Sequence, residues 1–191
     1  MKLIRYVILC SLSLIPDFLF SQDLRFYRED LTFEIKNGFF KVDGIYNFCN
    51  NGNMEVHQVL FYPFPVDSLY GAVDSVNTFD YNTGSTNLIL NQTDKGFLFK
   101  IGLEPYGTGK YRIAYRQKLL KNKAEYILVT TQKWNIPFEN AVYKLIAPVE
   151  IRITSASYNP DSARQTNDRT TYYWTKMNFM PDKNMIFYFK Q

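Results

Sequence analysis

Histidine and cysteine are almost missing from this chain: His57 is the single histidine, and Cys10 and Cys49 are the two cysteines, in 191 residues. That shortage excludes much of ordinary site chemistry. A structural zinc centre takes four Cys or His ligands, which the chain cannot supply. Ser-His-Asp catalysis would have to use His57 as its base, and no Gly-x-Ser-x-Gly elbow stands beside it. Gly107-Thr108-Gly109-Lys110 has the composition of a phosphate loop, but such a loop needs Gly-x4-Gly-Lys-Ser/Thr opening a helix, and Tyr111 follows the lysine here. An excess of either charge is missing too. A net charge of +4 is too small to demand a nucleic-acid partner. No apolar periodicity of a helix runs through the chain, and no repeat of 20 to 50 residues is visible.

What the sequence has instead is rings. Fifteen Tyr, 16 Phe and two Trp make up 17% of the residues, and 46% of all residues are hydrophobic. Planar and β-branched side chains pack well on a pleated surface, so this composition points to strands and a large core. The chain is long enough for one domain with such a core.

Residues 1–22 read as an export signal. Lys2 and Arg5 precede a short apolar run from Tyr6 to Ile15, broken by Pro16 and Asp17, and the run is far short of the ~20 apolar residues of a membrane span. Cleavage is expected near Ser21 or Gln22, leaving residues 23–191 as one exported domain, periplasmic, cell-surface or extracellular. It would touch a membrane only through an uncleaved N-terminus. Cys10 leaves with the signal, so no internal disulfide is available, and Cys49 is expected to be a small buried hydrophobe.

The mature chain reads as about ten short strands. Phe40, Val42, Gly44, Tyr46 and Phe48 alternate along one strand, Asn50-Asn51-Gly52-Asn53 reads as a turn, and Val56 to Phe64 reads as the returning arm. Further strands are predicted at Leu31–Ile35, Ala72–Phe79 and Val142–Ile146, with another at Val149–Ser155. Hairpins are predicted around Asn91–Lys95, Lys121–Lys123 and Met180–Asn184. Trp134–Asn140 reads as a loop or a helical turn entering at Pro137, and Asn159–Arg169 as a solvated loop. This pattern predicts an all-β fold: an antiparallel, immunoglobulin-like sandwich, with a closed β-barrel as the alternative.

The stretch from Val42 to Val76 resembles the strand–turn–strand core of vault/inter-alpha-trypsin (VIT) type secreted β-sandwiches, through Tyr46, Asn47, Asn50, Phe61, Phe64 and Pro65. The resemblance implies a sandwich acting as an interaction module and brings no site residues with it.

The candidate contact face lies on Lys110–Leu120. Tyr111, Ile113, Tyr115 and Leu119 share one side, while Lys110, Arg112, Arg116 and Lys118 share the other, beside Lys121 and Lys123. Such a stripe suits an anionic glycan or an envelope polymer, and it equally suits protection of a sheet edge. Trp134 is the candidate ring for stacking on a sugar, with Trp174 beside it. No catalytic residue, cofactor or metal ligand is assigned. Asn159, Asp161, Asn167 and Asp168 lack the spacing of a calcium loop. Glu125, Glu139 and Glu150 would need to converge in a cleft to serve a glycosidase. The expected function is therefore non-catalytic binding of a cell-surface or extracellular ligand. A structural or assembly subunit of the cell envelope, docking through a sheet edge, is the alternative.

Overall fold

The computed structural model describes residues 23–190, and the expected export segment lies outside them. Thirteen strands are described: β1 (Leu24–Lys36), β2 (Phe39–Asn50), β3 (Val56–Pro63), β4 (Tyr70–Asp80), β5 (Ile89–Thr93), β6 (Gly96–Leu103), β7 (Thr108–Leu119), β8 (Lys123–Tyr126), β9 (Phe138–Pro148), β10 (Arg152–Ala156), β11 (Ser162–Gln165), β12 (Arg169–Phe179) and β13 (Met185–Lys190). A short 3-10 turn covers Val129–Trp134. The fold is the predicted all-β sandwich and not a closed barrel. One seven-stranded sheet, in the order β11-β12-β9-β1-β2-β7-β4, forms one layer. Two three-stranded sheets, β10-β13-β8 and β3-β6-β5, form the other.

Rings fill the space between the layers. Phe187 of β13 meets Phe33 of β1 and Trp174 of β12, with centroids 5.4 and 5.8 Å away. Tyr62 of β3 meets Tyr46 of β2 and Tyr115 of β7 at 5.8 and 5.9 Å. Each small sheet therefore covers its own part of the large one. Tyr126 on β8 and Tyr62 on β3 stand 6.4 Å apart where the two small sheets approach, and no ladder joins those strands. The second layer is split at that seam.

Three expected hairpins are corrected. The arms on either side of Asn50-Gly52 do not pair: β2 lies between β1 and β7 in the large sheet, while β3 pairs with β6 in a small one. The connection is an arch that carries the chain from one layer to the other. Asn50 holds it, accepting from the Gly52 N–H at 3.0 Å and donating to the Met54 and Glu104 carbonyls at 2.7 and 3.0 Å. The turn at Lys121–Lys123 is likewise an arch from β7 to β8, and that at Met180–Asn184 one from β12 to β13. Two arms that each bury a single face gain as much by facing each other across the core as by lying side by side. The hairpin of β5 and β6 is formed as expected.

Other differences are local. Residues 127–131 do not continue the strand that begins at Lys123, and the 3-10 turn ends before Pro137 instead of entering at it. The polar stretch 159–169 contains β11, paired with β12. The β1–β9 pair runs parallel, so the large sheet is not wholly antiparallel.

Candidate functional site

Strand β1 changes face within its length. Leu24 and Phe26 point inward, and so do Glu29, Leu31, Phe33 and Ile35, although the two groups differ in parity. A β-bulge permits this: Phe26 pairs with Phe48 and Arg28 with Asn47, leaving Tyr27 as the extra residue. Bulges re-aim side chains. Here the shift turns a glutamate, flanked by the outward-facing Arg28–Asp30 ion pair, into the core.

Glu29 is 1% exposed. It lies beneath the seam between the small sheets, on the floor of a cavity of about 140 Å³. The floor is completed by Phe26, Tyr46 and Phe48, and the walls are Leu60 to Pro63, Phe99 and Tyr126. Ile127, Thr130, Thr131, Lys133 and Trp134 close the outer side. Trp134 is half-buried, with its ring 6.0 Å from Phe26 and 5.7 Å from Phe48, and those two stack on each other at 4.8 Å.

The polar groups converge. The Tyr143 hydroxyl donates to Glu29 Oε1 at 2.6 Å, and the Tyr46 hydroxyl is shared with those of Tyr62 at 2.7 Å and Tyr126 at 3.2 Å. Burial pushes the Glu29 carboxyl up to about 8, against the pull of the Tyr143 and Tyr126 hydroxyls. Burial, followed by mutual repulsion with Glu29, also pushes Tyr46 and Tyr143 well up, so both remain protonated. Near neutral pH the cavity holds a neutral acid among neutral phenols.

The outer wall is strapped to the β12–β13 arch. Asn184, in the β12–β13 arch, accepts from the N–H groups of Leu128 and Val129 at 3.1 and 3.3 Å and donates to Glu125 Oε1 at 2.7 Å. Gln132 Nε2 donates to the Pro181 carbonyl at 2.7 Å.

Of the residues expected to form the site, Trp134 alone stands at this cavity. The cation stripe lies on the outer face of the large sheet, on β7, and its two arginines are paired with acids. Arg112 makes a two-pronged pair with Asp43 on β2, both contacts at 2.7 Å. Arg116 does the same with Asp74 on β4 at 2.8 and 2.7 Å, and lies over the Phe39 ring. Lys110 sits over the Tyr81 ring, 4.7 Å from its centre, and Lys118 is exposed. Sequence reading offered the cations and could not see the aspartates registered against them.

The remaining candidates are dispersed. His57 is exposed and pairs with Glu55 at 2.8 Å. Asp161 accepts from the Thr175 N–H and from Lys176 Nζ. Glu139 pairs with Arg25, while Glu125 accepts from the Tyr70 hydroxyl, from Asn184 and from Lys123. Trp174 is buried, its indole N–H donating to the Tyr158 carbonyl at 2.9 Å. Glu29 was missed. A clue was present in the sequence, because the alternation Leu31, Phe33, Ile35 extends backwards by one step to residue 29.

No family model and no curated protein matches this chain. Among solved structures it is similar to a "putative nutrient binding protein" from Legionella pneumophila, at 15% identity and TM-score 0.69, over 87% of this chain and 67% of that one. It is also similar to two M1 zinc metallopeptidases, one from Deinococcus radiodurans, at 13% identity and TM-scores of 0.51 and 0.52. In both peptidases the match spans 88% of this chain and 43% of theirs, less than half their length. At these identities the likeness is one of fold.

Proposed function

We propose that this chain is an exported, non-catalytic binding module that takes a small ligand into the aromatic cavity at the seam of its second layer. The observation carrying this reading is Glu29, a fully buried carboxyl turned by a bulge toward a cavity between aromatic walls. A glutamate in that position works against folding, because burial holds on to a proton that the unfolded chain releases. Other polar side chains are buried too, Asn50, Asp80 and Gln117 among them, but Glu29 is the carboxyl that lines this cavity, and a buried ionisable group at a concave apolar site is the usual sign of a binding site. The groups around Glu29 are hydroxyls kept protonated by burial, which orient a ligand without attacking it. The fold likeness to a protein named for nutrient binding agrees with this reading.

The basic strand is a poorer contact face than its sequence suggests. Arg112 and Arg116 already have carboxylate partners, and an anionic polymer would have to displace them.

Trp134 supplies the readout, since the other tryptophan, Trp174, is buried among different residues. The mature chain is titrated with small probes of distinct chemistry: choline, 3,3-dimethyl-1-butanol, benzyl alcohol and acetate. At least one should change Trp134 emission and raise Tm in the same concentration range. Silence from all four on both measurements overturns the cavity as a site.

A further inference from the structure

The cavity also carries information about the charge of its occupant. Its lining has one carboxylic acid, Glu29, at the floor, while the one base among the lining residues, Lys133, is exposed at the rim. Around the floor are the rings of Phe26, Phe48 and Trp134, whose π-faces attract positive charge. An anion would meet electron-rich faces and an acid. A purely apolar occupant would offer the carboxyl no partner beyond the tyrosine hydroxyls it already has. We infer that the ligand is a compact organic cation, an amine or quaternary ammonium head seated against Glu29 within the Phe26–Phe48–Trp134 rings. This rests on the cavity being the binding site. The volume of about 140 Å³ is close to that of cavities known to take a benzene ring, so the charged head enters and a longer tail would extend past Trp134.

Binding is linked to one proton. The groups facing Glu29 are Tyr46 from β2, Tyr62 from β3, Tyr126 from β8 and Tyr143 from β9, with Asp30 its neighbour on β1. The acidic member that changes state is Glu29. The cation enters with its charge intact, the carboxyl releases its proton to solvent, and a carboxylate–cation pair remains. The site as a whole exchanges one proton for one cation.

The test is calorimetry with choline and its neutral isostere 3,3-dimethyl-1-butanol, between about pH 6 and 9, in phosphate and in Tris. Choline is expected to bind more tightly than the alcohol. Its affinity should rise about tenfold per pH unit up to about pH 8 and then level off, with nearly one proton released at pH 7. Glu29→Gln should remove the pH slope and the preference for choline over the alcohol. Should that variant fail to fold, Trp134→Leu keeps the carboxyl and removes one π-face, so choline should weaken several-fold with proton release intact. An alcohol that binds as well as choline, or a choline affinity flat with pH, overturns the cation and leaves the cavity standing. Failure of both ligands, with benzyl alcohol and acetate silent too, removes the cavity reading with it.

Discussion

Tyr143 on β9 donates a 2.6 Å hydrogen bond to Glu29 Oε1 on β1, across the parallel pair at the centre of the large sheet. The bond ties the buried acid to a strand that enters the sheet more than a hundred residues later. A hydroxyl donor steadies a carboxylate more than a protonated acid, so Tyr143 holds the Glu29 carboxyl below where burial alone would put it. Replacing Tyr143 with Phe should therefore raise the Glu29 pKa further and destabilise the fold by about 1–3 kcal/mol. Carbon-13 NMR of the Glu29 carboxyl, followed against pH, reads the shift. A pKa that falls in Tyr143→Phe would contradict the arrangement.

Glu29 should make stability depend on pH in a stated direction. Its carboxyl titrates near 8 in the folded chain, against 4.5 for a free glutamate. Between those values the folded state keeps a proton that the unfolded state has lost. The contribution is complete below about pH 4.5, is lost as pH rises towards 8, and is level above that, with a slope of at most ~1.4 kcal/mol per unit. Gln at this position still accepts from Tyr143 and has no proton to lose. Urea titrations should show Glu29→Gln more stable than the parent by about 3 kcal/mol at pH 7, the gap closing toward pH 4.5. Equal stability of the two proteins at pH 7 would mean that the carboxyl is not buried as described.

Gly44 is required by space. A Cβ there would lie 2.6 Å from Leu31 Cδ2 and 2.6 Å from the Tyr46 ring and hydroxyl. Gly44→Ala should push Tyr46 off its contacts with Tyr62 and Tyr126 and cost about 1–3 kcal/mol, the usual penalty of overpacking. Near-ultraviolet circular dichroism of the tyrosines should change with it. An alanine variant with parental Tm and an unchanged tyrosine signal would place the Tyr46 ring elsewhere.

The alternation on the strands that bury one face, the polar turns and the sandwich class were legible without coordinates, because such a strand carries its period in the residues themselves, whereas the fully exposed β11 has none and reads as loop. Partnership between strands was not. Phe40–Phe48 and Val56–Phe64 look the same whether they lie side by side in a hairpin or face each other across an arch, and the Asn50 turn serves both. The partners of the cation stripe were hidden for a related reason: Asp43 and Asp74 lie far from Arg112 and Arg116 in sequence and meet them only through register. Glu29 escaped because Arg28 and Asp30 beside it give the segment the look of a solvated end, and a bulge leaves no compositional trace. Trp134 was chosen as an exposed ring and stands at the mouth of an internal cavity.

The paired arginines set an expectation for the outer face. Changing Arg112, Arg116 and Lys118 together to Gln should lower retention on heparin no more than removing three lysines elsewhere on the surface does, because two of the three cations already have partners. Both pairs are more than a third exposed, so solvent screens them and the loss of stability should also be small. A drop in the salt needed for elution clearly larger than that of the control would return the basic strand as the contact face.

Asn184 should govern entry to the cavity. Its side chain holds the N–H groups of Leu128 and Val129 and one oxygen of Glu125, while Gln132 makes the second attachment of the same wall to the β12–β13 arch. Asn184→Ala breaks three hydrogen bonds and leaves Glu125 to Tyr70 and Lys123. The expected loss is about 1–3 kcal/mol, concentrated in the segment 127–134. Amide exchange should quicken at residues 128–131 with little change in β1, β2 and β9, and acrylamide should quench Trp134 more readily. Ligand entry and release should both accelerate, since the wall opens at lower free energy while the floor around Glu29 is untouched. Exchange that quickens uniformly over the whole sandwich would instead make Asn184 a support of the entire core, and the wall would not be a separate element.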